Sequence, residues 1–164
     1  MKKPKLLYFL FLPTVFIACS NQVGTDIFDI STVFQQYHRG SAVELYTNVE
    51  DTLYDHPYSI VSIERIKGAN IDSLDFYFQY SGGEGGCPEH YFYLQWNPND
   101  SVTDFDTLHV GVAHFINQPD NCEALVRSNH KFDLNRLFQG DVANHVEKPL
   151  VIENLYTNEL YKVD

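Results

Sequence analysis

Short runs that alternate between apolar and polar positions, separated by turn residues, constrain this chain more than any other feature. Over residues 74–80, Phe76, Phe78 and Tyr80 fall on one side and Asp75, Tyr77 and Gln79 on the other. That period of two is the pattern of a half-buried strand. The same reading applies to residues 90–96, where His90, Phe92, Leu94 and Trp96 share a face, and to residues 107–116, where Leu108, Val110, Val112, His114 and Ile116 do. Further strands are expected over 43–48, 58–67, 122–128 with an extension to Phe132, 150–155 and 160–163. In 58–67, Ile60, Ser62, Glu64 and Ile66 alternate with Val61, Ile63 and Arg65. Between strands, Asn97-Pro98-Asn99-Asp100 is a turn, Asn117 to Asn121 has the length of a hairpin loop, and Asp133 N-caps one helical turn over 134–138 that stops at Gly140. Strands at this spacing without intervening helices predict an all-β fold, an antiparallel two-sheet β-sandwich of about seven strands with immunoglobulin-like topology. A closed barrel would produce the same pattern.

Ahead of this body, Lys2, Lys3 and Lys5 precede an apolar run from Leu6 to Ala18, broken only by Pro13 and Thr14. The run is shorter than the ~20 residues needed to span a bilayer and has the layout of an export signal. Phe16-Ile17-Ala18-Cys19 resembles the lipobox of bacterial lipoproteins, with Phe16 where Leu is usual. The resemblance implies cleavage before Cys19 and a thioether diacylglycerol, with further acylation, on that cysteine. It also implies sorting to the outer membrane, because Ser20 rather than Asp follows Cys19; the periplasmic and surface faces stay equally open. Residues 1–18 are thus read as signal peptide, 19–29 as a tether and 30–164 as one domain.

Removal of residues 1–18 leaves 146 residues, a length that can bury roughly two thirds of its unfolded surface. It also leaves 8 basic against 22 acidic side chains. Such a surface repels phosphates, so nucleic acid is excluded as a partner and the membrane is expected to be reached through lipid alone. The chain's 11 Tyr and 12 Phe suit pleated, half-buried surfaces. A rival use of tyrosine is an exposed platform for a glycan or an envelope protein, for which Tyr91 and Tyr93, opposite Trp96, are the candidates.

With Cys19 assigned to lipid, Cys87 and Cys122 remain, and an exported chain with two cysteines is expected to join them. Closing the intervening loop contributes about 4 kcal/mol on the chain-entropy account. The competing reading joins Cys87 and Cys122 with His90 and His114 as a tetrahedral zinc set. A third keeps the disulfide and lets His90 and His114 hold a divalent metal with Glu89 or Asp120. The simplest reading makes both histidines hydrogen-bonded core residues, since each lies on an inward face. Gly82-Gly83-Glu84-Gly85-Gly86 lacks the lysine of a phosphate loop and is read as a tight turn. Asn97, Asn99, Asp100, Asp104 and Asp106 lack the register of a calcium loop. No nucleophile elbow, zincin helix or dinucleotide fingerprint occurs, so neither catalysis nor a cofactor is expected.

Gly86-Cys87-Pro88-Glu89-His90, the later His114, Asp120-Asn121-Cys122-Glu123-Ala124 and Phe132-Asp133-Leu134 together are similar to a pattern in small uncharacterised bacterial lipoproteins. This sequence departs from it by inserting Glu84-Gly85 into the glycine run. The resemblance implies no activity, but it groups Cys87, His90, His114 and Cys122 as one unit.

Overall fold

The computed structural model describes residues 34–49, 52–83, 86–98, 106–139, 142 and 144–164. The signal peptide, Cys19 and the tether lie outside them, as do Asn99, Asp100 and Asp104 of the acidic turn. Among the described residues nine strands run in the order β1 (Phe34–Arg39), β2 (Tyr54–Asp55), β3 (Tyr58–Gly68), β4 (Ile71–Gly82), β5 (His90–Trp96), β6 (Leu108–Ile116), β7 (Ala124–Asp133), β8 (Leu150–Asn154) and β9 (Leu160–Val163). Two short α-helices, α1 (Ala42–Asn48) and α2 (Leu134–Phe138), and a 3-10 turn at His145–Glu147 interrupt these strands. The fold is all-β with two sheets: β3-β4-β7, and β1-β5-β6-β8-β9 with β2 also paired to β6.

The inward faces of both sheets carry the expected alternation. Phe76, Phe78 and Tyr80 of β4, Val126 and Phe132 of β7, Phe92, Leu94 and Trp96 of β5, and Val110 and Val112 of β6 form one buried cluster. A column of nearly parallel rings crosses it, Phe76–Phe78 at 5.0 Å, Phe78–Phe92 at 4.3 Å and Phe92–His114 at 4.1 Å between centroids. Burial of such rings drives the packing of sheet on sheet, and the stacked geometry adds a smaller directional contribution.

Three expectations are corrected. The pairing is mixed, because β1 lies parallel to β5 and β6 parallel to β8. Parallel neighbours need a long crossover, and here β7 and α2 supply it between β6 and β8. Residues 43–48 belong to α1 rather than to a strand. Ser41 accepts from the Glu44 N–H at 3.2 Å while the Glu44 carboxylate accepts from the Ser41 N–H at 2.7 Å, a capping box, and Leu45 is buried against Ala113 and Phe115 on the outer face of β6. Finally, the alternation in β3 breaks at Val61, an extra residue between Ile60↔Phe78 and Ser62↔Tyr77. This bulge leaves Val61 exposed and turns Ile63 and Arg65 inward.

Arg65 is therefore a buried cation, and its partners account for it. Its guanidinium holds Asp72 through two hydrogen bonds of 2.8 and 2.7 Å and donates to the carbonyls of Lys148 and His145 at 2.5 and 2.9 Å. Four donated bonds offset the desolvation of the charge and fasten the segment before β8 to the first sheet. The helical turn follows the sequence closely: Asp133 caps the Asn135 N–H at 2.9 Å, and Gln139 takes the left-handed conformation at its end.

Candidate functional site

Polar side chains collect at one end of the interior, where β4, β5 and β6 meet the β2–β3 and β6–β7 connections. His90 begins β5 and His114 lies near the end of β6, on diagonally opposed positions of one antiparallel pair. Their inward side chains meet, with Nδ1 of His90 2.9 Å from Nε2 of His114. His56, from the β2–β3 connection, lies against both, its ring 5.2 Å from that of His114 and 5.8 Å from that of His90. The His56 N–H donates to the His114 carbonyl at 3.0 Å, which fixes the connection to β6. Ser81 of β4 donates to Asp120 Oδ2 at 2.5 Å, and the same hydroxyl oxygen is 2.9 Å from His56 Nε2. Asp120 Oδ2 is 3.4 Å from that nitrogen, and Asp120 Oδ1 accepts the Cys122 N–H at 2.8 Å. A fourth histidine, His130 of β7, pairs with Ser128 at 2.7 Å deeper in the core.

Burial sets the charge state. It pushes His90 and His130 down to about 4 and His114 well below the ordinary imidazole value; the neighbouring imidazoles lower His90 and His114 further. Burial also lowers His56, against the opposing pull of Asp120 and Ser81. For Asp120, burial raises the carboxyl, but the Ser81 hydroxyl, the Cys122 N–H and the two nearby histidines outweigh it and hold it below the usual carboxylate range. At neutral pH the cluster is therefore four neutral imidazoles and one carboxylate. Proton counting then fixes one tautomer. Ser81 has a single proton and gives it to Asp120, so His56 Nε2 must be the donor to the Ser81 oxygen. A serine receiving a hydrogen bond from its histidine is not primed as a nucleophile, and this serine, histidine and aspartate do not form a catalytic triad.

The pair between His90 and His114 uses one N–H and one lone pair. One N–H and one lone pair are left over, on His90 Nε2 and His114 Nδ1, both buried without a hydrogen-bond partner. Gly82 sits directly over the first: a Cβ there would stand 2.9 Å from His90 Nε2. Gly83, at φ +155°, leaves room for Cys87, whose sulfur would be 3.0 Å from a Cβ. The glycines thus bring the loop down onto the histidine and the disulfide, and Gly86 likewise has positive φ.

Cys87 and Cys122 are joined, which removes both thiolates from the zinc set considered above. His90 and His114 do come together, and Asp120 joins their neighbourhood. Glu89 does not: its exposed carboxylate accepts from Tyr91 at 2.7 Å and Asn117 at 3.2 Å. Among the described residues no three His, Cys, Asp or Glu side chains are placed to hold a metal ion. Tyr91 and Tyr93 are half-buried against the Leu45–Phe115 cluster beneath α1, so they offer partial faces rather than an open platform. His130 shares its inward face with Val126, Ser128 and Phe132 and is legible from that alternation. His56 and Ser81 carry no such signal, because the first lies between strands and the second takes its role from long-range partners.

The chain matches no protein-family model and no curated protein. Among solved structures it is similar to the crystal structure of a protein of unknown function, DUF1344, from Bacteroides vulgatus ATCC 8482. The TM-score is 0.49 at 15% identity, covering 79% of this chain and 56% of that one, so the chain spans little more than half of that protein's length. No helix among the described residues is long and apolar enough to cross a membrane.

Proposed function

We propose that this protein is a lipid-anchored lipoprotein of the bacterial cell envelope whose domain binds or supports a partner, an envelope protein or a glycan, without turning it over. The Phe16–Cys19 lipobox and the polar stretch after it support the anchor, and Ser20 supports the outer membrane as its place. One observation carries the non-enzymatic half: Ser81 and Asp120 approach the same His56 nitrogen, Nε2, at 2.9 and 3.4 Å, and the Ser81 hydroxyl donates to Asp120, so the serine–histidine–aspartate set among the described residues lacks the order of a hydrolytic triad, in which the histidine stands between the other two. Full-length protein should sediment with membranes and its Cys19→Ala variant should not, and neither should hydrolyse envelope substrates. Turnover that disappears in Ser81→Ala or His56→Ala would overturn the reading.

A second reading, divalent metal binding through His90 and His114, is favoured by the buried, uncharged pair and its leftover lone pair beside the Asp120 charge. It expects stoichiometric metal in protein purified without chelator and its loss in both His90→Ala and His114→Ala. Unchanged metal content in those variants would remove it. For the scaffold we infer an immunoglobulin-like sandwich in modified form. The order β3-β4-β7 corresponds to strands A, B and E of one immunoglobulin sheet, whereas the second sheet seats β6 beside β8 in parallel.

A further inference from the structure

We propose that the Cys87–Cys122 disulfide is a redox latch that keeps His56, and through it the His114–His90 pair, closed off from solvent, and that a dithiol reductant opens it. The latch acts through both of its arms. On one, the backbone N–H of Cys122 holds Asp120 Oδ1 at 2.8 Å while Oδ2 receives Ser81 at 2.5 Å and lies 3.4 Å from His56 Nε2. On the other, Cys87 packs on Gly83, next to Gly82, on which His90 Nε2 rests. The bond joins the segment before β5 in one sheet to the segment before β7 in the other, so it spans the end of the interior where the histidines lie.

Asp120 is the lid. Its side chain and that of His56 are each 8% exposed, and the groups that face the pair are Ser81 from β4, His90 from β5, His114 from β6, Asp55 at the end of β2 and the Cys122 N–H. Both cysteines are only half-buried, and Gly86, Asn121 and Glu123 beside them are exposed, so a small reductant can reach the sulfurs. A thiolate of the dithiol attacks one sulfur and breaks the S–S bond, and its second thiol resolves the mixed disulfide. Two electrons and two protons pass to Cys87 and Cys122, and the reductant leaves as its own disulfide. With the bond broken, the Cys122 N–H no longer holds Asp120 over Ser81, and His56 loses its cover.

Carbethoxylation by diethyl pyrocarbonate, read by peptide mass spectrometry on full-length protein in detergent, tests this. His56 should react slowly in oxidised protein and about tenfold faster after dithiothreitol, a local opening that leaves His130 protected. Reoxidation should restore the slow rate. Asp120→Ala should speed His56 in the oxidised protein and remove its dependence on reductant. An unchanged His56 rate on reduction would overturn the latch. Equal acceleration of His56 and His130 would also overturn it, since that is collapse of the whole core rather than an opening at one end.

Discussion

At the scale of single residues, the interior gives up acid stability to accommodate its histidines. His90 and His130 sit at about 4 in the folded protein and near 6.5 when unfolded. Between those values the folded state binds fewer protons than the unfolded state, so stability rises with pH through the window and is lost as pH falls through it. Each group is worth on the order of 3 kcal/mol across the full window, and His114, displaced further, acts in the same direction. The depressed Asp120 carboxyl has the same sign at still lower pH, where its protonation removes a charge the fold favours. Urea midpoints should therefore fall steeply between pH 7.5 and 5; a flat profile would mean the imidazoles are hydrated in the folded state. Gly82 makes a separate prediction. A methyl group there would stand 2.9 Å from His90 Nε2 and 3.2 Å from Val126 Cγ2, so Gly82→Ala should cost about 1–3 kcal/mol by overpacking. Gly68→Ala, whose Cβ would meet Ile71 at an ordinary 3.6 Å, is the control and should leave the melting temperature nearly unchanged.

At the scale of elements, the bulge at Val61 decides which side chains of β3 face inward, and Arg65 shows the consequence. Arg65→Ala would leave Asp72, fully buried, without its cation and should destabilise by about 3–5 kcal/mol in denaturant titrations. Arg65→Met with Asp72→Leu should recover most of that loss, because the penalty comes from the unpaired charge rather than from the missing bonds. Strands β5 and β9 are legible to the residue, since their apolar alternation ends where turn residues begin. Helix α1 is not legible from alternation. It is about two turns of residues such as Val43 and Tyr46 that also suit strands, and only Ser41 and Glu44 mark its start. Strand β1 is hidden for a different reason: Gln35, Gln36 and His38 give it no apolar stripe, and its partner β5 lies 50 or more residues away. The bulge carries no glycine or proline to announce it. For the site, His90 and His114 follow from the parity of their strands, whereas His56 and Ser81 join through contacts between segments 25 residues apart.

At the scale of the molecule, two sheets hold each other through a common aromatic column and a single covalent bond. The disulfide closes a separation of 35 residues between one sheet and the other. Replacing both cysteines by serine should cost about 4 kcal/mol in the chain-entropy account, read as a lower urea midpoint with the all-β circular dichroism retained. Loss of the β signal altogether would show that the cores do not hold without it. The oxidised bond, the strongly acidic chain and the polar stretch after residue 18 fit a domain displayed outside the cytoplasm on a lipid anchor. The mass of the N-terminal peptide of protein extracted from bacterial membranes tests that placement most directly. A lipid-anchored domain gives a peptide beginning at Cys19 and carrying diacylglycerol and further acyl mass on that residue. A peptide beginning at Met1, or an unmodified Cys19, would contradict it.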